Sequence, residues 1–116
     1  MQFTSLSPFV PSGKDFTAAK QLFAELGFDI AWDAGNMVSF SNGPYSFILQ
    51  QYDDEAFAQN FMLSVGVPDA AAFYQEVIDK KLPEKYGIKV SAPKQQPYGI
   101  EVNLIDMAGV CWHFIE

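Results

Sequence analysis

The sequence predicts a single α+β domain made of two successive βαβββ modules, and three observations lead to that class. The 116 residues are 49% hydrophobic and 16% aromatic, which is one domain's length with enough apolar side chain for a core. Two amphipathic helical patterns each follow one strand-like segment and precede several more. That order recurs with a period of about half the chain, although the halves share few residues. A six-element ferredoxin-like plait is the competing architecture, and it leaves two of the expected strands unused.

The first segment, "FTSLSPFV" at 3–10, is β-prone, and "PSGKD" interrupts it with turn formers. In "FTAAKQLFAELG" the residues Phe16, Ala19, Phe23 and Leu26 share one helical face, and Gly27 stands where a left-handed cap closes a helix. Three extended segments follow: "FDIAWD" at 28–33, "NMVSFS" at 36–41 and "YSFILQQY" at 45–52. The joins "AG" and "NGP" suit antiparallel hairpins.

The second half repeats the order. "NFMLSVGV" at 60–67 reads as a strand, and Asp69 is the N-cap of a helix carrying Phe73, Tyr74, Val77 and Ile78 at helical spacing. "YGIKVSA", "YGIEVNLI" and "GVCWHFIE" supply three more strands. The polar stretch "QQYDDEAFAQN" at 50–60 reads as a linker whose "DDE" is a solvated loop, since it lacks the glycine-bearing calcium-loop signature. Module one therefore spans about 1–54 and module two about 58–116.

Charge and cysteine usage narrow the function. Seven Lys and Arg against fourteen Asp and Glu give a formal charge of −7, which repels phosphate backbones and anionic lipid and favours a cationic ligand. Nucleic acid and membrane are not expected partners. Cys111 is the only cysteine, so neither an intrachain disulfide nor a thiolate cluster for zinc is available, and a reducing compartment is implied. The N-terminal stretch lacks the layout of a secretion signal, and no apolar run approaches the ~20 residues of a membrane span, so a cytoplasmic location is expected.

"PFVPSGKDFTAAKQLFAELGF", "VPDAAAFYQEV" and "PYGIEVNLIDMAGVCWHFIE" together resemble the glyoxalase / bleomycin resistance / extradiol dioxygenase superfamily, and most of all its bleomycin resistance proteins. The likeness covers the whole chain. It is carried by Leu26-Gly27-Phe28, Phe73-Tyr74, Tyr98-Gly99 where relatives often have Trp-Gly, and Asp106 to Gly109 where relatives turn with Asp-Pro-Asp-Gly. The resemblance implies a curved mixed sheet around a cup, helices on its outer face, and a homodimer. Enzymes of the superfamily hold a divalent metal with four His, Glu or Gln side chains from the first and last strands of each module, and His113 falls where they carry their final glutamate.

Strand parity tests that donor set, because alternate side chains point to opposite faces. Val110, Trp112 and Phe114 read as core, which sends Cys111, His113 and Ile115 to the other face. By the same reasoning Leu6, Val10, Phe47, Leu49, Phe61, Leu63 and Val65 read as core. Ser5, Ser7, Phe9, Ile48, Gln50, Asn60, Met62 and Ser64 then face the cup. Ser5, Gln50, Asn60 or Met62, and His113 make a poor donor set for a first-row divalent ion, so neither a metal nor another cofactor is expected.

His113, the only histidine, reads as a ligand contact or a cup-lining residue, with no carboxylate at a recognisable spacing to orient it as a base. Glu101 and Asn103 share a parity opposite Val102 and Leu104, and a glutamate there draws a cationic or donor-bearing ligand. Phe9, Trp32, Phe40, Met62 and Tyr98 form an aromatic wall for a planar compound. Cys111 is a small thiol beside His113 that needs a depressed pKa to act as a nucleophile. The expected ligand-binding residues are thus His113, Gln50, Glu101, Asn103, Met62, Phe9, Trp32, Tyr98 and Cys111. The expected function is metal-free binding of an aromatic or cationic drug-like compound. The alternatives are a metal-dependent lyase or dioxygenase in which a partner subunit completes the ligands of His113 and Gln50, and a scaffold whose cup Phe9 and Met62 close.

Overall fold

The computed structural model describes residues 1–116, and the chain divides into two compact units, Met1–Asp53 and Asp54–Glu116. In the first, β1 (Phe9–Pro11) leads to helix α1 (Phe16–Glu25) and then to β2 (Asp29–Asp33), β3 (Met37–Asn42) and β4 (Tyr45–Gln50). The sheet order is β1-β4-β3-β2. β1 runs parallel to β4 and the other neighbours are antiparallel. Asp15 starts α1 by accepting from the Ala18 amide at 3.0 Å, and Gly27 ends it at φ 109°, a left-handed conformation that costs other residues energy.

The core of this unit lies between α1 and one sheet face. Leu22 and Phe23 of the helix and Val10, Val38, Phe40, Phe47 and Leu49 of the strands are all buried. The Phe23 and Phe47 rings meet edge to face at 5.0 Å, and Phe40 stacks on Phe47 at 5.5 Å. Phe40 is therefore core, against the expectation that it joins an exposed aromatic wall. The first strand is also shorter than expected. Pro8 accepts from the Ile48 amide at 2.9 Å but has no amide hydrogen to carry the ladder further back, so pairing begins only at Phe9, and Leu6, expected in the core, is exposed.

The second unit opens with α2 (Glu55–Gln59), inside the segment expected to be a linker loop. Asp54 of "DDE" is its N-cap, accepting from the Phe57 amide at 3.0 Å, while Ala58 is buried and Phe57 stacks on Phe61 at 5.6 Å. β5 (Met62–Gly66), α3 (Ala70–Asp79), α4 (Leu82–Tyr86), β6 (Lys89–Val90), β7 (Lys94–Gln96), β8 (Gly99–Ile105) and β9 (Cys111–Ile115) follow. The sheet order is β5-β9-β8-β6, with β7 also paired to β8.

The strand expected at 86–92 is thus reduced to β6, with Tyr86 closing α4 instead, and β7 is a strand beyond those expected. Pro93 offers no donor at the break, and Ser91 bridges it: its amide bonds the Asn103 carbonyl at 2.9 Å and its hydroxyl accepts from the Asn103 amide at 3.1 Å. Val102, Leu104, Trp112 and Phe114 form the buried face, where Phe73 of α3 stacks on Phe114 with ring centres 4.0 Å apart. Ile78, placed on the apolar stripe by spacing, is instead exposed.

Candidate functional site

The polar site stands on the opposite face of the second sheet. β9 runs parallel to β5 and antiparallel to β8, so register sets Met62 against Cys111, Ser64 against His113, and Asn103 against His113. Directly paired residues share a face, which brings Met62, Ser64, Cys111, His113, Asn103 and Glu101 together. The turn between β8 and β9 fixes that register. Asp106 Oδ1 accepts from the amides of Ala108, Gly109 and Val110 at 3.0–3.1 Å, and its Oδ2 accepts from Trp112 Nε1 at 2.9 Å.

Glu101 is the centre of the group. Its side chain is buried, and Tyr98 Oη donates to Oε2 at 2.6 Å while His113 Nδ1 lies 2.6 Å from Oε1. The Tyr98 hydroxyl, with help from His113, holds the carboxyl below its ordinary value against the opposing effect of burial. The same bond pushes the Tyr98 phenol up, because a carboxylate acceptor favours the protonated hydroxyl. An ionised Glu101 requires Nδ1 of His113 to carry a hydrogen. That leaves Nε2 as the outer nitrogen, 3.4 Å from Met62 Sδ.

This corrects the expectation that no carboxylate orients His113. The signal was available: once the turn is placed at 106–110, antiparallel pairing sets Asn103 opposite His113 and Glu101 one diagonal step away, within reach of long side chains. Tyr98 contributes a hydroxyl as well as a ring, since the Pro97-Tyr98 turn between β7 and β8 carries it back over Glu101. Cys111 is ill suited to nucleophilic attack: burial first, and then the negative charges of Glu101 and Asp106, push its thiol up. Asn103 Oδ1 is buried with no hydrogen-bond partner.

Gln50, Phe9 and Trp32 belong to the first unit. A shift in register between Ile30 and Trp32 pairs Trp32 with Ser39, which pairs with Ile48, which pairs with Phe9. The bulge thus brings Trp32 and Phe9, 45% and 51% exposed, to the same sheet face at opposite ends of one row. Gln50 is half-buried one step away, paired with Met37 and Pro11.

These residues do not fit the divalent metal of the superfamily's enzymes. No group of three or more His, Cys, Asp and Glu is placed to hold a metal ion, and both oxygens of Glu101 are already engaged. No helix is long and apolar enough to cross a membrane.

Neither a protein-family model nor a curated protein sequence matches the chain. Solved structures do. The bleomycin-binding protein of bleomycin-producing Streptomyces verticillus, in complex with copper(II)-bleomycin, superposes with a TM-score of 0.77 at 18% identity, over 99% of this chain and 97% of that one. The bleomycin resistance determinant encoded on transposon Tn5 gives 0.78 at 22% identity, over 98% of both chains. An antibiotic-binding protein from Streptomyces sp. CB03234 gives 0.74 at 16% identity, covering 99% and 97%. A glyoxalase/bleomycin resistance protein from the same organism gives 0.72 at 18%, covering 97% and 100%. With nearly the whole chain covered at so low an identity, what the chain shares with these proteins is architecture, and it has the glyoxalase / bleomycin resistance fold.

Proposed function

We propose that the protein binds a small aromatic or cationic drug-like compound, without a metal and without transforming it, as a cytoplasmic homodimer. The observation that carries this reading is the end-to-end likeness to proteins described as binding bleomycin or another antibiotic. Three features of the chain support it. The half-exposed rings of Phe9 and Trp32 sit on one sheet face with small or aliphatic residues between them, a surface on which a planar compound stacks. Met62, Tyr98, Glu101, Asn103, Cys111 and His113 present a polar patch within thioether and thiol surroundings, and Gln50 adds an amide in the first unit. The net charge of −7 attracts cations at long range. The solitary cysteine suits the cytoplasm.

Calorimetric titration with metal-free bleomycin, copper(II)-bleomycin and a panel of planar cations tests the reading, with tryptophan fluorescence recorded alongside. Saturable binding of one compound per subunit is expected, with quenching that disappears in Trp32→Phe because Trp112 is buried. The compound recovered from the complex is expected unchanged in mass. Absence of saturable binding across the panel, or recovery of a converted product, overturns the proposal.

A further inference from the structure

The strands of the second sheet carry one carboxylate, Glu101, against two lysines, Lys89 of β6 and Lys94 of β7. That balance is positive in a chain whose net charge is −7. Lys89 pairs with Ile105, which pairs with Cys111, and Lys94 pairs with Glu101, so both lysines stand on the polar face, at its β6/β7 edge.

A bulge puts Lys94 there. From Lys89 to Lys94 the chain advances five residues, while their partners on β8 step back four, from Ile105 to Glu101. One extra residue is taken up between them, and the side chains beyond it change faces. In the register of β6, Lys94 would oppose Ile100 and point with Val102 and Leu104 toward the buried side. A lysine on either face discourages unwanted pairing at a sheet edge, so edge protection does not account for the bulge.

The Lys94 ammonium is also unclaimed. Lys20 and Lys80 form ion pairs with Asp33 and Glu76, whereas the side chains of Lys89 and Lys94 make no ion pair or hydrogen bond, even though Lys94 stands opposite a carboxylate. Tyr98 and His113 hold both oxygens of Glu101, which is 3% exposed, so its charge is turned inward. Tyr98 is 61% exposed and reaches Glu101 through its hydroxyl, which leaves its ring beside the row of Lys94.

We propose that Lys94 anchors an anionic group on this face, and that the compound bound there is an aromatic carboxylate whose ring lies on Tyr98. The inference rests on the small-molecule reading above and narrows it to aromatic acids, through a residue that reading does not use. An ammonium and a carboxylate form a charge-assisted hydrogen bond, and a flat ring gains by offset stacking on an exposed phenol. Lys89 lies four β8 residues along the sheet, about 14 Å away, and adds to the field there more than to the contact.

The test compares 2-naphthoate with neutral 2-naphthamide and cationic 2-naphthylmethylammonium, by amide ¹H–¹⁵N shift titration of the whole chain. Naphthoate is expected to bind more tightly than either analogue and to move the resonances of 94–101. Lys94→Met is expected to weaken naphthoate about three- to tenfold, the range for a partly exposed charged hydrogen bond, and to leave naphthamide unaffected; Lys94→Arg restores the preference. Lys14→Met removes an exposed lysine of the first unit, makes the same change in net charge, and is expected to change nothing. Binding of the amide or the ammonium as tight as that of naphthoate overturns the proposal and leaves the small-molecule reading standing. So does a naphthoate affinity that is unchanged in Lys94→Met, or that falls equally in Lys14→Met, which makes the preference an effect of total charge. Failure of all three compounds to bind overturns the proposal as well, while the bleomycin and planar-cation panel decides the broader reading separately.

Discussion

Glu101 and Asp106 are two buried carboxyls on neighbouring parts of the same hairpin, and they respond to their surroundings in opposite directions. Glu101 is held below its ordinary 4.5 by Tyr98 and His113, whereas burial pushes Asp106 above its ordinary 3.8 despite four donors. A depressed folded-state value means that Glu101 contributes stability which is fully present above pH 4.5 and is lost as pH falls through the lower, folded value. Asp106 has the opposite sign: its contribution is present below pH 3.8 and declines as pH rises through its elevated folded value. Thermal melts of the wild type and Glu101→Gln between pH 3 and 7 are expected to differ most at neutral pH and to converge in acid, and parallel curves contradict the assignment. Gly99 is a second residue under constraint. Its φ is 143°, and a β-carbon there meets the Glu116 carbonyl oxygen at 2.4 Å. Gly99→Ala is expected to lower stability by about 2 kcal/mol or more in urea melts, from backbone strain and from displacement of the chain end.

At the scale of elements, the two modules use one pairing scheme with different occupants. In each, the opening strand runs parallel to the closing strand, which pairs antiparallel with the penultimate one. The bonds from the Ser12 amide to the Gln50 carbonyl and from the Val67 amide to the Ile115 carbonyl mark equivalent points, 2.9 Å in both. Counting back from them, Met37 and Ile48 hold the positions that Glu101 and His113 hold in module two. The acid and imidazole pair is thus an occupant of one module and not a requirement of the scheme. Helix α3 shows how the end of a strand supports the start of a helix. Asp69 Oδ1 accepts from the Ala72 amide at 3.0 Å, and Glu116 Oε1 accepts from the Ala70 amide at 2.8 Å. Asp69→Ala is expected to cost about 1 kcal/mol in chemical denaturation. A change below about 0.3 kcal/mol means that Glu116 alone satisfies the helix start.

For the whole molecule, the −7 charge matters more for encounter than for folding. Raising ionic strength from 0.01 to 0.15 M shortens the screening length from about 30 Å to about 8 Å. The association rate of a cationic ligand is therefore expected to fall over that range in stopped-flow fluorescence while that of a neutral analogue stays level. Equal salt dependence for both removes long-range attraction from the account.

Much of this architecture is legible in the sequence, because it rests on local rules: period 3.6 in 16–26 and 69–79, period 2 in 99–105 and 110–115, and glycine at all but one of the positions where φ is positive, the exception being Lys81. The parity that put Trp112 and Phe114 inside and His113 outside needed nothing more. What local rules missed were departures with a local cause but a non-local outcome: the helix capped by Asp54, the short strand β7 that follows Pro93, and Leu6 left outside by a ladder that starts only after Pro8. The partnership of His113 with Glu101 and Met62 belongs to tertiary structure alone. It spans 12 residues in one direction and 51 in the other, and only the register of three strands brings those atoms within bonding distance. Sequence spacing describes which face a side chain takes; pairing across strands decides whom it meets there.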